Sequence, residues 1–431
     1  MTAPQPFFDW TDLLFPPAEF AQRRQRLVAQ LREQGSGVFL TPARHGFSNG
    51  FTFRQLDDFL YFTGLELPDS LLAIEASSGE AVLFVPEKDG RFFNPTRPND
   101  FPGRTLLADP LLAEKSGIGQ IRPFSTLTSY LQQQHDPIWL NPGHPRPLTP
   151  LVSDFLHHWN PVEGLIFHLQ QQFPQLHLRN GYAAVARLRM VKSAAEIGVM
   201  RRACEITCES LRETAVSIRP GVDERTLEGV LEAGFKKRGA QRLPFASIIK
   251  SGPNALWPWR ILAAHYNRRN RVMQPGELVV FDVGCELDSY VSDMGRTFPV
   301  SGRFSAAQRD VLDMQLAVLE GMITAVKPGR TLADIQAVAD TLIPPAAKLH
   351  MQVGSFFGHH IGLSAGDPML LDAPLVPGMV ITIEPWYYNH DSGIATFLED
   401  VVLVTETGFE NLTDGVGKTA VLFEELCTQQ H

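Results

Sequence analysis

Four carboxylates interrupt apolar, strand-like sequence at two places in the chain. Asp282 and Asp293 lie in the first of these stretches, and Glu384 and Glu399 lie in the second. Buried strands rarely contain an unpaired acid, because burying a charge costs free energy. Acids placed close together there need a cation between them, or one of them must hold a proton. The pattern therefore predicts half of a metal site in each stretch.

The first two acids are expected to lie on opposite strands of a β-hairpin. With Leu287-Asp288 at the tip of this hairpin, Asp282 is predicted to lie directly opposite Asp293. Directly opposed side chains have Cβ atoms about 4.5–5.5 Å apart. At that separation both carboxylates could contact one cation.

The second stretch predicts the same arrangement with different acids. A hairpin with Asp391-Ser392 at its tip places Glu384 opposite Glu399. The adjacent histidines His359 and His360 lie between the two hairpins in the sequence, among glycine and apolar residues. Adjacent histidines could be a packing feature, but next to four buried acids a ligand role for one of them is favoured.

The combined set of four carboxylates and one or two histidines is rich in hard oxygen ligands. Such a set suits Mn²⁺, Co²⁺ or Zn²⁺ in a bridged pair better than a thiolate zinc site. Two ions about 3.5–4 Å apart can share a water molecule, lower its pKa and hold both oxygens of a tetrahedral intermediate. The chemistry expected of this set is hydrolysis of an amide.

The elements that carry these residues occur twice. A capping box at Ser193–Glu196 begins a helix that Pro220-Gly221 ends, and a capping box at Ser305–Gln308 begins a helix that Pro328-Gly329 ends. In both cases a second helix and then strand-rich sequence follow. This order predicts two related halves about a pseudo-twofold axis that share a sheet; chance similarity of the two Pro-Gly stops is the alternative.

Length and composition indicate two domains in a globular protein. The 431 residues are too many for one ordinary core, and 44% are hydrophobic and 20% charged. We expect an α/β domain over 1–185 and a second α/β (α+β) domain over 186–431. A net charge of -9 argues against nucleic acid and anionic membrane as partners, and no run of 18 apolar residues predicts a membrane span.

The cysteines indicate the compartment. The four of them, Cys204, Cys208, Cys285 and Cys427, are predicted to be buried structural thiols rather than redox or metal ligands. This usage predicts a reducing environment, and we expect a cytoplasmic protein.

The motifs around these residues resemble the Xaa-Pro aminopeptidase and prolidase branch of the pita-bread metallopeptidases. That family has five metal ligands in the order Asp, Asp, His, Glu, Glu, and the matching residues are Asp282, Asp293, His359, Glu384 and Glu399. The resemblance implies two divalent ions, expected to be Mn²⁺ with Zn²⁺ or Co²⁺ as alternatives. It also implies that Asp293, His359 and Glu399 each bind one ion or bridge the two, that Asp282 binds the other ion with both oxygens, and that Glu384 is the general base.

The resemblance extends to the N-terminal half and to the fold. The stretch 53–64 is close to a segment typical of aminopeptidase P. The family therefore implies a non-catalytic, creatinase/aminopeptidase P-like α/β domain followed by a pita-bread catalytic domain with duplicated halves. It also implies assembly into a homodimer or homotetramer.

Residues near the substrate match the family only in part. His265 lies seventeen residues before Asp282, where the family has a histidine beside the substrate, and Tyr388 matches a tyrosine after the Glu-Pro turn. In contrast, Gly366 stands where the family has a second substrate-side histidine, and Phe397 stands where it has an arginine. Loss of a donor that steadies the intermediate can reduce the rate by about 10²–10³-fold.

Other side chains could take over the missing contacts. His360 is one candidate, and the arginines around His265 are others: Arg260, Arg268 and Arg269. These arginines are either a solvated loop or a clamp for a substrate carboxylate, since guanidinium groups suit bidentate recognition.

The sequence thus predicts a dinuclear metallopeptidase that acts on short peptides, as an Xaa-Pro aminopeptidase does. One alternative is a peptidase of altered end specificity, a dipeptidase or carboxypeptidase. The other is a metal-binding protein that has lost turnover because position 366 is glycine.

Overall fold

The computed structural model describes residues 13–45, 53–87, 107, 110–134, 136–148, 160–256, 270–351 and 356–428. The chain forms two compact units, Met1–Leu188 and Arg189–His431. None of the described helices has the length and apolar composition that crossing a lipid bilayer requires.

The first unit is a mixed sheet with helices. Its elements in chain order are α1 (Pro17–Glu33), β1 (Val38–Pro42), α2 (Asp57–Thr63), β2 (Leu71–Glu75), β3 (Ala81–Val85), α3 (Pro110–Ser116), β4 (Gln120–Pro123), α4 (Leu127–Gln132), β5 (Ile138–Leu140), α5 (Pro161–Gln172), β6 (Leu178–Asn180) and α6 (Tyr182–Met190). Six strands form one sheet in the order β4-β3-β2-β1-β5-β6, with both parallel and antiparallel neighbours. This is the α/β organisation predicted for the N-terminal part.

The second unit contains two helix pairs, each followed by strands. The elements are α7 (Ala194–Ala215), α8 (Glu224–Lys237), β7 (Ile248–Ser251), β8 (Leu278–Val283), β9 (Glu286–Leu287), β10 (Tyr290–Val291), β11 (Met294–Pro299), α9 (Ala306–Ala325), α10 (Leu332–Leu342), β12 (Val380–Ile383), β13 (Trp386–Asn389), β14 (Ile394–Phe397), β15 (Asp400–Val404), β16 (Phe409–Asn411) and α11 (Ala420–Thr428). The capping boxes predicted at Ser193 and Ser305 are both formed, and each begins a long helix. The repeated order of helices and strands is therefore present.

The first acidic hairpin has a different register from the predicted one. Asp288 and Ser289 form its turn with φ values of 48° and 69°, which is the geometry of a two-residue type I′ turn. With this turn Asp282 pairs with Gly295 rather than with Asp293. The prediction that the two aspartates are directly opposed was wrong, because the turn lies one residue later than Leu287-Asp288. Asp293 instead lies just before β11, two residues along the strand.

The second hairpin has the predicted register. Ile383 pairs with Asp400 and Trp386 pairs with Phe397. This pairing aligns Glu384 with Glu399 between the two short ladders. The prediction for this hairpin is confirmed.

A short bridge joins the two hairpins. The backbone N–H and C=O groups of Gly295 and Glu399 exchange hydrogen bonds of 3.3 and 3.0 Å. The hydroxyl of Thr297 adds two contacts, because it donates to the carbonyl of Phe397 and accepts from the N–H of the same residue. The strands of the two halves are thus connected directly at the acidic residues.

The four cysteines are free thiols and all are buried. Burial raises the pKa of Cys204 well above its ordinary value and raises that of Cys208 to about 11. Protonated, buried thiols are poor nucleophiles and poor metal ligands. The prediction of buried structural thiols is confirmed.

Candidate metal centre

Three potential ligands from different elements converge at the junction of the two hairpins. Asp293, His359 and Glu399 each offer a ligand atom, and these atoms all lie within 4.8 Å of one another. Asp293 comes from the first hairpin and Glu399 from the second. His359 lies on the segment that pairs with β12, where the N–H of Thr382 donates to the carbonyl of His359 at 2.8 Å.

The ring of His359 is oriented for a ligand role. Its Nδ1 lies 3.1 Å from the carbonyl oxygen of His360, and because a carbonyl can only accept, Nδ1 must donate the proton. In the neutral ring Nε2 then carries the lone pair. This Nε2 lies 3.6 Å from Oδ2 of Asp293 and 3.4 Å from Oε1 of Glu384. A lone pair that faces two carboxylates needs a cation or a proton between them.

Glu384 is held by its neighbours along the chain. The indole Nε1 of Trp386 donates to Oε2 at 3.2 Å, and the hydroxyl of Thr382 lies 3.5 Å from Oε1. Residues two apart on a strand lie on the same face, so Thr382, Glu384 and Trp386 all point to one side. Sequence reasoning missed Trp386 and Thr382, although this spacing was the signal that could have identified them.

Asp282 adds a fourth acid on β8. Gly295 lies opposite it, and a Cβ atom at this glycine would lie 2.4 Å from the Phe397 ring and 2.9 Å from Cβ of Glu399. Only glycine allows the second hairpin to approach β11, the strand paired with that of Asp282, so closely.

Buried negative charge dominates the electrostatics of the centre. Burial, and then the charges of neighbouring carboxylates, raise the pKa of Asp282, Asp293 and Glu399 well above their ordinary values. Burial also raises the pKa of Glu384, although His359 and the hydrogen bonds from Trp386 and Thr382 oppose the shift. Carboxyl groups with raised pKa values in one cluster are typical of functional sites.

Two unsatisfied oxygens show that the residues present fit a cation. Among the described residues, Oδ1 of Asp293 and Oε2 of Glu399 are buried and have no hydrogen-bond partner. An unpaired buried acceptor costs about 1–3 kcal/mol, and more when it is charged. A divalent ion coordinated by these oxygens and by Nε2 of His359 would satisfy both.

A buried ion pair supports the backbone behind the centre. Arg296 is fully buried, and its guanidinium donates to the carbonyl of Glu399 at 2.6 Å and to Oδ1 of Asp400 at 2.7 Å. Lys418 contacts the other oxygen of Asp400 at 2.8 Å. Burial raises the pKa of Asp400, but the charges of Arg296 and Lys418 outweigh it, so the net pKa is below the ordinary value. The backbone at Glu399 and Asp400 is therefore held in place by Arg296.

Comparison with known families agrees with this geometry. Residues 198–406 match the model of metallopeptidase family M24, and residues 20–93 match the N-terminal domain of aminopeptidase P. The Xaa-Pro aminopeptidase of Escherichia coli is 30% identical over 95% of this chain and 97% of its own length. The chain belongs to the Xaa-Pro aminopeptidase family. The mitochondrial intermediate cleaving peptidase 55 of Arabidopsis thaliana is 29% identical over 95% of this chain and 82% of its own length.

Solved structures of the family share the fold. Aminopeptidase P from E. coli, determined with the inhibitor Pro-Leu, superposes with a TM-score of 0.78 at 26% identity, covering 96% of this chain and 98% of that one. The predicted fold, an aminopeptidase P-like N-terminal domain followed by a pita-bread domain, is confirmed. As a member of this metallopeptidase family, the protein is a hydrolase of peptide bonds, and the family implies divalent metal ions.

The residues predicted at or near the substrate differ in burial, and some of them lie outside the described residues. His360 is fully buried, and burial, with the nearby Lys192 charge, lowers its pKa to about 3. Tyr388 is half-buried on β13, against the apolar cluster that contains Trp386 and Phe397. Gly366 is exposed, and a Cβ there would contact no described atom within 4 Å. The predicted residues Arg260, His265, Arg268 and Arg269 lie outside the described residues.

Phe397, which stands at the family's arginine position, is fully buried. Its ring stacks on Trp386 with centroids 3.6 Å apart and an interplanar angle of 20°.

Metal removal is expected to make stability depend on pH. An acid whose pKa is higher in the folded than in the unfolded protein makes its full contribution to stability at a pH below the unfolded pKa, which is about 4. This contribution is lost as the pH rises through the folded pKa. Asp282, Asp293, Glu384 and Glu399 all shift in this direction. Chelated protein should therefore lose Tm as pH rises from 5 to 8, and the gain in Tm on adding Mn²⁺ should grow over the same range.

The size of this effect follows from mass action. At a metal concentration about 100 times Kd, binding stabilises the folded state by about 2.7 kcal/mol. For a unit of this size that corresponds to about 5–11 °C in Tm. Asp293→Asn should reduce the gain, and equal Tm values with and without metal at pH 8 would contradict the expectation.

Proposed function

We propose that this protein is a dinuclear, metal-dependent aminopeptidase that releases the N-terminal residue of short peptides with proline in second position. The observation that carries the proposal is the convergence of Asp293, His359 and Glu399 with two buried, unsatisfied carboxylate oxygens. The preference for proline rests on the relatives, which are named Xaa-Pro aminopeptidases.

The proposed ligands are the five residues predicted from the sequence. Asp282, Asp293, His359, Glu384 and Glu399 would hold two ions, proposed to be Mn²⁺, with Zn²⁺ or Co²⁺ as alternatives. When bound, a pair of divalent ions activates water and polarises the peptide carbonyl.

Glu384 is the proposed general base. Its Oε2 accepts from Trp386, so the carboxylate is held with Oε1 facing His359. A carboxylate of raised pKa at this position can accept the proton of the attacking water and pass it to the leaving proline nitrogen.

Substrate contacts are proposed for the residues that match, or could replace, the family's substrate-side positions. His265 is proposed as a catalytic donor beside the substrate, and Tyr388 as part of the substrate-binding wall. His360, whose ring is fully buried, would have to be uncovered to contact a peptide. The arginines Arg260, Arg268 and Arg269 are proposed to bind a substrate carboxylate.

Hydrolysis of a matched peptide set tests this function. Protein stripped with a chelator and reloaded with Mn²⁺, Zn²⁺ or Co²⁺ is assayed on Xaa-Pro-Yaa peptides, free or N-acetylated, as acids or amides. We expect metal-dependent cleavage at the Xaa-Pro bond, none of the N-acetylated peptide, and slower cleavage of the amide if the arginines act as a clamp.

Three other outcomes would contradict the proposal in different ways. Cleavage of Xaa-Pro dipeptides alone would identify a dipeptidase, and release of C-terminal residues would identify a carboxypeptidase. Mn²⁺ binding without hydrolysis of any peptide would identify a metal-binding protein. Equal cleavage rates for the peptide acid and the peptide amide would contradict only the proposed arginine clamp.

The domain bounds, the cellular location and the assembly of the protein are also proposals. We propose domains over 1–185 and 186–431, a cytoplasmic location in line with the free buried thiols, and assembly as a homodimer or homotetramer.

A further inference from the structure

A pair of stacked aromatic rings lies beside the metal centre. Trp386 on β13 and Phe397 on β14 are directly opposed in the ladder, and their rings are nearly parallel with centroids 3.6 Å apart. Exposed fractions of 2% and 0% place both rings inside the second unit. Val280, Ala255 and Ala395 complete the apolar cluster around them.

The pair has a polar edge directed at one acid. Nε1 of Trp386 donates to Oε2 of Glu384 at 3.2 Å, while the other oxygen, Oε1, lies 3.4 Å from Nε2 of His359. The indole therefore engages one oxygen and leaves the second directed at the proposed metal ligands. A neutral N–H can do this without adding positive charge to a site that must accept cations.

Phe397 fixes the position of the indole. Its backbone N–H and C=O are both bound by the hydroxyl of Thr297, and its ring lies over Gly295. Because Gly295 is paired with Asp282, the aromatic pair is in register with the acids of both hairpins. Rotation of the indole away from Glu384 would break the stack.

We propose that Trp386 is a positioning residue of the metal centre, which orients the Glu384 carboxylate through its indole N–H and is held in place by Phe397. Phe397 of this pair stands at the sequence position where the family has an arginine. This inference rests on the proposed function in one respect, the role of Glu384 as ligand and base.

Trp386→Phe tests the role because it keeps an aromatic ring opposite Phe397 and removes the N–H group, together with part of the ring volume. Mn²⁺ affinity is measured by calorimetry, and kcat and KM are measured on an Xaa-Pro peptide at saturating Mn²⁺. We expect a loss of about 10–100-fold in Mn²⁺ affinity, as for other groups that orient a ligand, and a lower kcat with little change in KM. Trp139→Phe is the matched control, since that indole donates to the carbonyl of Ser36 in the first unit.

Tryptophan fluorescence gives a readout that does not require turnover. The chain has six tryptophans, and the difference between each variant and the wild type isolates one of them. The emission change on adding Mn²⁺ should be lost in Trp386→Phe and kept in Trp139→Phe. Phe397→Leu, which keeps the N–H and removes the stack, should also weaken Mn²⁺ binding and gives a second test if Trp386→Phe does not fold.

The two proposals fail in different ways. Unchanged Mn²⁺ affinity and kcat in Trp386→Phe, or unchanged affinity in Phe397→Leu, would overturn the positioning role while leaving the peptidase assignment intact. Wild-type protein that binds Mn²⁺ without hydrolysing peptides would overturn the proposed function. In that case the affinity and fluorescence of the variants would still decide the role of Trp386.

Discussion

Glu384→Gln is expected to lower kcat on Xaa-Pro peptides by about 10²–10⁴-fold, the usual contribution of a general base. The amide has nearly the same shape and can still accept the N–H of Trp386, but it cannot take up a proton. The fold should be retained, because the substitution removes a negative charge from a cluster of mutually repelling acids. Steady-state kinetics at saturating Mn²⁺ and far-UV circular dichroism measure the two effects.

Glu410→Gln is the matched control for this substitution. Glu410 is 43% exposed and pairs with Arg201 away from the centre, so its loss should leave kcat unchanged. Hydrolysis at the wild-type rate in Glu384→Gln would refute the assignment of Glu384 as the base.

Asp400→Ala is expected to reduce the free energy of unfolding of the second unit by about 3–5 kcal/mol, the usual cost of breaking a buried ion pair. It leaves the fully buried guanidinium of Arg296 without its carboxylate partner, and Lys418 loses its contact as well. Urea denaturation of the variant and the wild type measures the difference.

Two companion variants show whether this loss comes from the uncompensated charge. Arg296→Met in the Asp400→Ala background removes the unpaired charge and should recover part of the stability. Glu205→Ala breaks an ion pair with Arg202 whose side chains are 45% and 50% exposed, and should cost less than about 1 kcal/mol. A similar loss in the free energy of unfolding for the buried and the exposed pair would show that burial does not control how much an ion pair contributes to stability.

The sequence was informative wherever local signals determine structure. Ser193 and Ser305 begin helices as predicted because a capping box depends only on residues within one turn. The second hairpin follows its predicted register, whereas the first differs because Asp288 and Ser289 adopt positive φ values. A turn of this kind fits several sequences, and Asn-Gly or Asp-Gly, its strongest signals, are absent at 288–289.

The sequence predicted the residue types of the candidate site but not the contacts that hold those residues in place. The convergence of Asp293, His359 and Glu399 was anticipated because acids in apolar strands are costly without a partner. The buried pair of Arg296 and Asp400 was not, because nothing in either local sequence indicates a contact between strands a hundred residues apart. Phe397 was interpreted only as a missing arginine, and its stacking on Trp386 required the three-dimensional pairing.

The bridge between Gly295 and Glu399 has a thermodynamic consequence. It is a point where the two halves exchange backbone hydrogen bonds, and the proposed ligands come from both sides of it. Because the proposed ligands come from both halves, neither half alone can complete the coordination of the ion. Ion binding and the association of the halves are therefore linked equilibria. Each must then favour the other by the same coupling free energy. The ion would serve the enzyme as a cross-link between duplicated halves as well as in hydrolysis.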